Sequence, residues 1–265
     1  MSALATAFAR ARDERRAALI GYLPAGFPTP ESGIELITAM VDAGVDIVEV
    51  GLPYSDPLMD GPDIQAAVSL ALAAGTTTET VLETVAAVAA TGAVPLVMSY
   101  WNPIEQYGVA RFSERMEQVG GRGIITPDLT PEEAGDWIAA TTAHDLDRIF
   151  LVAPSSTEER IATVASVTSG FLYAASTMGV TGGRAAVSSA APDLVRRCRE
   201  ITDLPIGVGI GISTGQQAAE VASYADGVIV GSAFVKRILQ APDHAAAVAS
   251  VAALASELAA GVRSL

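Results

Sequence analysis

Apolar residues along this chain fall into short runs, separated by longer stretches in which they recur every three or four positions. The runs ALIGYL (18–23), DIVEVG (46–51), PLVMSY (95–100), GIITP (123–127), RIFLVA (148–153), FLYAAS (171–176), PIGVGI (205–210) and GVIVGS (227–232) read as eight buried strands. Between them, Ala-rich segments such as ESGIELITAMVDAG and TGQQAAEVASYA carry helical spacing. Capping signals open several of these helices: Thr29 before Pro30, Thr130 before Pro131 with Glu133 at the third helical position, and Thr157 before Glu158. The gap between the second and third strands is the longest and predicts two helices, DIQAAVSLALAAG and TTETVLETVAAVAATG. Eight strand–helix units of parallel sense predict one α/β domain over residues 1–265, a closed (β/α)8 TIM barrel with an extra N-terminal helix. An open doubly wound sheet is the alternative, and the lack of a G-x-G-x-x-G loop after the first strand counts against it.

Composition narrows the partners rather than the fold. Half of the 265 residues are hydrophobic but only 5% are aromatic, so Ala, Val, Ile and Leu must build the core. A net charge of −14 argues against nucleic acid, whose phosphates are met by basic surfaces. The single cysteine, Cys198 in the amphipathic LVRRCREI, excludes an internal disulfide and reads as a packing residue. His144 and His244 have no Cys or His companions at ligand spacing, so no metal site is expected. The N-terminal stretch carries Asp13 and Glu14 and lacks a signal-peptide core. The apolar C-terminal run AAAVASVAALASELAAGV contains serines and Glu257, which favours a soluble helix over a membrane span. A cytoplasmic protein without membrane contacts is expected.

In a parallel barrel, chemistry gathers at the C-terminal strand ends. Glu49 is the one charged residue in the apolar core of the second strand, near that end, where burial would raise its pKa and suit it to proton donation. Asp60 follows in a loop rich in Pro, Gly and Asp, where it would stay ionised or act as a turn residue before Gly61. The loops after strands seven and eight, GVGIGIS with Gly209, Gly211 and Ser213 and VGSA with Gly231 and Ser232, have the form of a backbone phosphate cradle, or of ordinary tight turns. STMGVTGGR (176–184) reads as a lid or a plain surface loop. Tyr173 and Tyr100 stand where they could line the mouth, with core packing the other reading.

These residues together resemble the tryptophan synthase alpha subunit family. EVGLPYSDPLMDGPDIQ (49–65) matches that family's pattern E-x-G-x-P-[YF]-S-D-P-x-x-D-G-P-x-I-Q, and YWNPI (100–104), PDL (127–129), GVTG (179–182), GIGIS and VGSA follow in order. The resemblance implies retro-aldol cleavage of indole-3-glycerol phosphate to indole and glyceraldehyde 3-phosphate. Glu49 would protonate the ring carbon bearing the glycerol chain, and Asp60 would hold the indole N–H. Tyr173, Tyr100 and Thr181 would line the substrate site, and Gly182, Gly211, Gly231 and Ser232 would bind phosphate. The protonated indole is its own electron sink, so the resemblance implies no metal and no cofactor in this chain. It also implies a beta subunit partner carrying pyridoxal phosphate, in an alpha2-beta2 heterotetramer, contacted by the loop from Pro53 to Asp60, the WNPI segment and the loop after Asp128. Three positions depart from the family pattern. Phe27 and Trp101 are expected near the partner face, and Asp63 adds a charge beside the catalytic loop.

Overall fold

The computed structural model describes residues 2–175, 190–209 and 211–264. The chain opens with α1 (Ala3–Asp13), β1 (Ala18–Pro24), α2 (Pro30–Asp42), β2 (Ile47–Gly51), α3 (Pro62–Ala73), α4 (Thr78–Thr91) and β3 (Val94–Met98). It continues with α5 (Trp101–Tyr107), α6 (Val109–Gln118), β4 (Gly123–Ile125), α7 (Gly135–Ala143), β5 (Asp147–Ile149), β6 (Leu151–Val152) and α8 (Glu158–Val167). Then come β7 (Leu172–Ala175), α9 (Ala191–Arg199), β8 (Ile206–Gly209), α10 (Gly215–Ala222), β9 (Gly227–Val230), α11 (Ser232–Leu239) and α12 (His244–Gly261). All strand pairs are parallel, in the order β5-β4-β3-β2-β1-β9-β8-β7-β6.

The predicted strand 148–153 is divided, and the division closes the barrel. Its first half pairs with β4, its second half pairs with β7, and Tyr173 N–H donates to the Phe150 carbonyl between them at 3.1 Å. The two ends of the sheet are thus one continuous stretch of chain. The other strands fall where the apolar runs place them, and the two helices expected between β2 and β3 are α3 and α4.

Inward-facing positions alternate along each strand and fill the barrel. Ile20, Ile47, Leu96, Ile125, Ile149, Phe171 and Ile229 form one buried cluster with Leu4, Phe8 and Ala11 of α1. The extra helix therefore plugs the barrel floor, where Phe8 meets Phe171 with ring centroids 5.6 Å apart. Burying a phenylalanine there stabilises the fold by about 1.5–3 kcal/mol. The outer faces of the strands pack on the surrounding helices in a second, larger cluster. Within it α12 buries Val251, Leu254, Ala255 and Leu258 and packs on α2, α10 and α11. By length and composition alone that helix could cross a membrane.

Two capping readings hold and one does not. Thr29 accepts from Ser32 N–H with Pro30 at the first turn, and Thr157 accepts from Arg160 N–H. Thr130 does not start a helix: residues 131–133 form a turn, in which the Thr130 hydroxyl donates to Glu133, and α7 begins only at Gly135. Phe27 is a core side chain, 1% exposed. Trp101 packs edge-on against Trp137 at 5.6 Å. Asp63 lies in the first turn of α3, where Gly61 at the cap offers no side chain, so its charge complements the helix dipole. Cys198 is fully buried, as its amphipathic setting predicts.

Candidate active site

The register and parity of β2 place Glu49 in the barrel mouth. Glu49 faces inward like Ile47, one layer higher, and sits between Tyr22 of β1 and Leu96 of β3. It is 1% exposed, and its Oε1 has no hydrogen-bond partner among the described residues. No cation among the described residues offsets the burial, and desolvation pushes the carboxyl pKa up to about 8. At neutral pH this group holds a proton.

Asp60 reaches the same pocket from the loop after β2. Its Oδ1 accepts from the Tyr100 hydroxyl at 2.9 Å, and that hydroxyl accepts from Met59 N–H at 2.9 Å. Burial raises the Asp60 pKa, against the polar-loop expectation, while the Tyr100 hydrogen bond pulls it back toward the charged form. Tyr100 is thus more than packing: it fixes both the loop and its carboxylate. Gln65 clamps the loop from the other side by donating to the Asp60 carbonyl at 2.7 Å.

The three motif loops hold one another. Asp128 accepts from Trp101 N–H at 2.9 and 3.1 Å and caps α5 from outside, since Tyr100 at the cap position does not cap the helix with its own side chain. Asn102 donates to the Tyr54 hydroxyl at 3.1 Å, which ties WNPI to the Pro53–Asp60 loop.

One pocket at the mouth brings together Glu49, Asp60, Tyr100, Tyr173, Gly211, Gly231 and Ser232. Gly231 is the cap of α11 and Ser232 its first residue, so that helix presents its open N–H groups to the pocket. Gly211 has a φ of 82°, a left-handed conformation that suits glycine. Gly209 closes β8 just before that loop. A Cβ there would collide with the Tyr173 hydroxyl, so this glycine makes room for the tyrosine. Ser213 is exposed, and both its N–H and its hydroxyl donate to Gln217 at 2.8 and 3.1 Å. Thr181, Gly182 and the whole segment 176–184 lie outside the described residues.

Sequence reasoning missed Tyr22, Leu52, Met59 and Leu151 in the pocket wall. Tyr22 had a signal: it alternates with Ala18 and Ile20 on the inward face of β1, and Gly51 leaves space for its ring. No group of three or more His, Cys, Asp or Glu side chains is placed to hold a metal among the described residues.

A closed parallel barrel whose mouth holds a buried carboxyl, a loop carboxylate and a helix N-terminus has the form of a (β/α)8 enzyme. Residues 8–263 match the family model described as tryptophan synthase alpha chain. The tryptophan synthase alpha chain of Acidothermus cellulolyticus is 58% identical over 263 residues, covering 99% of this chain and 98% of the relative. That of Thermobifida fusca is 59% identical over 266 residues, covering 99% and 98%. A chain of Mycobacterium tuberculosis tryptophan synthase superposes with a TM-score of 0.93 at 50% identity, covering 99% of this chain and 98% of that one. This chain belongs to the tryptophan synthase alpha chain family, lyases that cleave indole-3-glycerol phosphate.

Proposed function

We propose that Glu49 is the general acid of this cleavage and Asp60 the group that steadies the indole nitrogen. The observation that carries the reading is Glu49 itself: a protonated, unpaired carboxyl in the barrel mouth, across a pocket from a carboxylate held by Tyr100. Glu49 gives its proton to C3 of the indole ring, and positive charge develops on the ring nitrogen. Asp60 stabilises that charge through the N–H. The Glu49 carboxylate then takes the proton of the side-chain hydroxyl. The oxygen's electrons form the aldehyde carbonyl, the carbon–carbon bond breaks, and its electron pair restores the aromatic ring. Glu49 ends protonated again, so the cycle balances without a co-reactant. Gly211, Gly231 and Ser232, with α11 behind them, receive the phosphate. Thr181 and Gly182 would add to the substrate site, and Tyr173, beside Glu49, walls it on the β7 side.

The chain works as a single barrel domain in the cytoplasm with a beta subunit, in an alpha2-beta2 assembly, and the pyridoxal phosphate chemistry is that of the beta subunit. The docking face is built from the Pro53–Asp60 loop, the WNPI segment and the loop after Asp128. Their mutual hydrogen bonds support this, as does Leu58, 71% exposed within the first of them. The test is release of glyceraldehyde 3-phosphate from indole-3-glycerol phosphate by the purified chain, alone and with a beta subunit. Slow release that rises sharply with the beta subunit is expected. Fast release indifferent to it would instead mark a stand-alone lyase, and no release in either case would leave a non-catalytic activator.

A further inference from the structure

The Asp60 carboxylate stands in a pocket that offers it no positive charge. Among the described residues, no Lys, Arg or His lines the mouth. The titratable groups around it are Tyr22 of β1, Glu49 of β2, Tyr100 at the cap of α5 and Tyr173 of β7. α3 contributes the neutral Gln65 amide, and α11 the Ser232 hydroxyl. None of these groups is a cation in either protonation state. Burial therefore works against the charged form of Asp60, and the Tyr100 hydrogen bond works for it.

The direction of that bond is fixed by a second one. The Tyr100 hydroxyl accepts from Met59 N–H at 2.9 Å, which leaves its single proton for Asp60 Oδ1, also at 2.9 Å. The ring is buried and packs on Tyr54 with centroids 5.7 Å apart, and Asn102 in turn donates to the Tyr54 hydroxyl. Burial and the nearby Asp60 charge raise the Tyr100 pKa, so the hydroxyl keeps its proton wherever the enzyme works. Its one donor is committed to the carboxylate, so Tyr100 has no proton to give a substrate. The bond takes one carboxylate oxygen and leaves the other to accept from a ring N–H.

The geometry points to Tyr100 as a positioning residue, whose hydroxyl holds Asp60 charged and directed at the indole nitrogen and so sets the low-pH limit of the cleavage. This rests on the role of Asp60 proposed above. A neutral Asp60 could accept from the ring N–H, but it could not balance the positive charge that develops once Glu49 has given its proton. Turnover thus needs Glu49 protonated and Asp60 ionised. Glu49 closes that window on the alkaline side, near pH 8. Asp60 closes it on the acid side, and a hydrogen bond to the ionised form moves that edge to lower pH. Removing the Tyr100 hydroxyl raises the Asp60 pKa, so the acid edge moves up.

The experiment is steady-state cleavage of indole-3-glycerol phosphate by the full chain with a beta subunit, followed across pH. Wild type is compared with Tyr100→Phe, Asp60→Asn and the double variant. Tyr100→Phe keeps the ring and should lower kcat about tenfold while KM stays within a few-fold, and its acid limb should rise by roughly one pH unit. Asp60→Asn should abolish the acid limb and most turnover. Adding Tyr100→Phe to it should cost little more, because the hydroxyl then has no carboxylate to hold. An acid limb that stays in place in Tyr100→Phe, even with slower turnover, would reduce Tyr100 to packing and overturn the proposal. Losses that multiply in the double variant would do the same. If Asp60→Asn is inactive while Tyr100→Phe keeps the wild-type rate and profile, the Tyr100 role fails and the Asp60 role stands. Turnover that survives Asp60→Asn would overturn both.

Discussion

Asp46, just before β2, and Glu49, at its centre, stand three residues apart, both buried, in opposite electrostatic conditions. Asp46 lies at the foot of β2. Its carboxylate takes a bidentate Arg16, a further bond from Arg10 at 2.9 Å and the Leu19 N–H at 2.9 Å. Burial alone would raise its pKa, but the Arg16 and Leu19 hydrogen bonds outweigh it and the pKa falls below the usual carboxylate value. Glu49 lies within β2 beside Tyr22 and Leu96, and no cation among the described residues offsets its desolvation. The same stretch of chain thus carries a carboxylate held in its charged form by its partners and a carboxylic acid kept neutral by burial. For these two acids the pairing, more than the burial, decides which way the pKa moves.

The largest effect should come from Glu49→Gln. Removing a general acid typically costs about 10²–10⁴-fold in turnover. A glutamine of the same shape should leave the Michaelis constant within a few-fold, and steady-state kinetics measures both. In the wild type, turnover should decline as pH rises through about 8, where Glu49 loses its proton. Turnover equal to wild type in the variant would erase the contrast between the two acids.

Asp46→Asn should act on stability instead. Breaking a buried ion pair leaves Arg16 partly uncompensated and should cost roughly 3–5 kcal/mol. Urea unfolding would show it as a lower midpoint, while the folded fraction keeps its catalytic rate. The two sites should also respond to pH with opposite sign, a smaller effect. Glu49 has a folded pKa of about 8 against an ordinary 4.5, so its stabilising contribution is complete below 4.5 and is lost as pH rises to 8. Asp46 has a depressed folded pKa, so its contribution is present above the ordinary value and is lost as pH falls through the folded one. The Glu49→Gln variant should therefore gain on wild type toward alkaline pH, by roughly 2–5 kcal/mol at full ionisation. Asp46→Asn should instead differ least from wild type in acid. Unfolding midpoints across the pH range test both slopes.

Period-two and period-three-to-four patterning made the barrel legible, because most strands here are buried on both faces and read as apolar runs. The division of 148–153 was not legible. Which neighbour a strand pairs with depends on the tilt of the closed sheet, and no local residue records it. Thr130 misled because Thr-Pro followed by Glu also suits a turn. Glu49 and Asp60 could be found, since an acid inside an apolar strand is anomalous on its face. Tyr100's grip on Asp60 could not, because it joins positions forty residues apart through a loop whose path only the fold determines. Gly209 shows the limit of motif reading: the residue matches a phosphate loop and serves a tyrosine.

Closure through β5 and β6 has a consequence for synthesis. β1 leaves the ribosome early, yet its second neighbour is β9, with Ala18 paired to Gly227. Until that last strand emerges, the nascent chain carries one exposed ladder on β1 and another on its most recent strand, in a sequence half of whose residues are hydrophobic. Only when residues 227–230 dock do both open edges disappear together. Chains cut short before that point keep an unpaired strand on the side where translation began, and are the form of this protein most prone to join edge to edge.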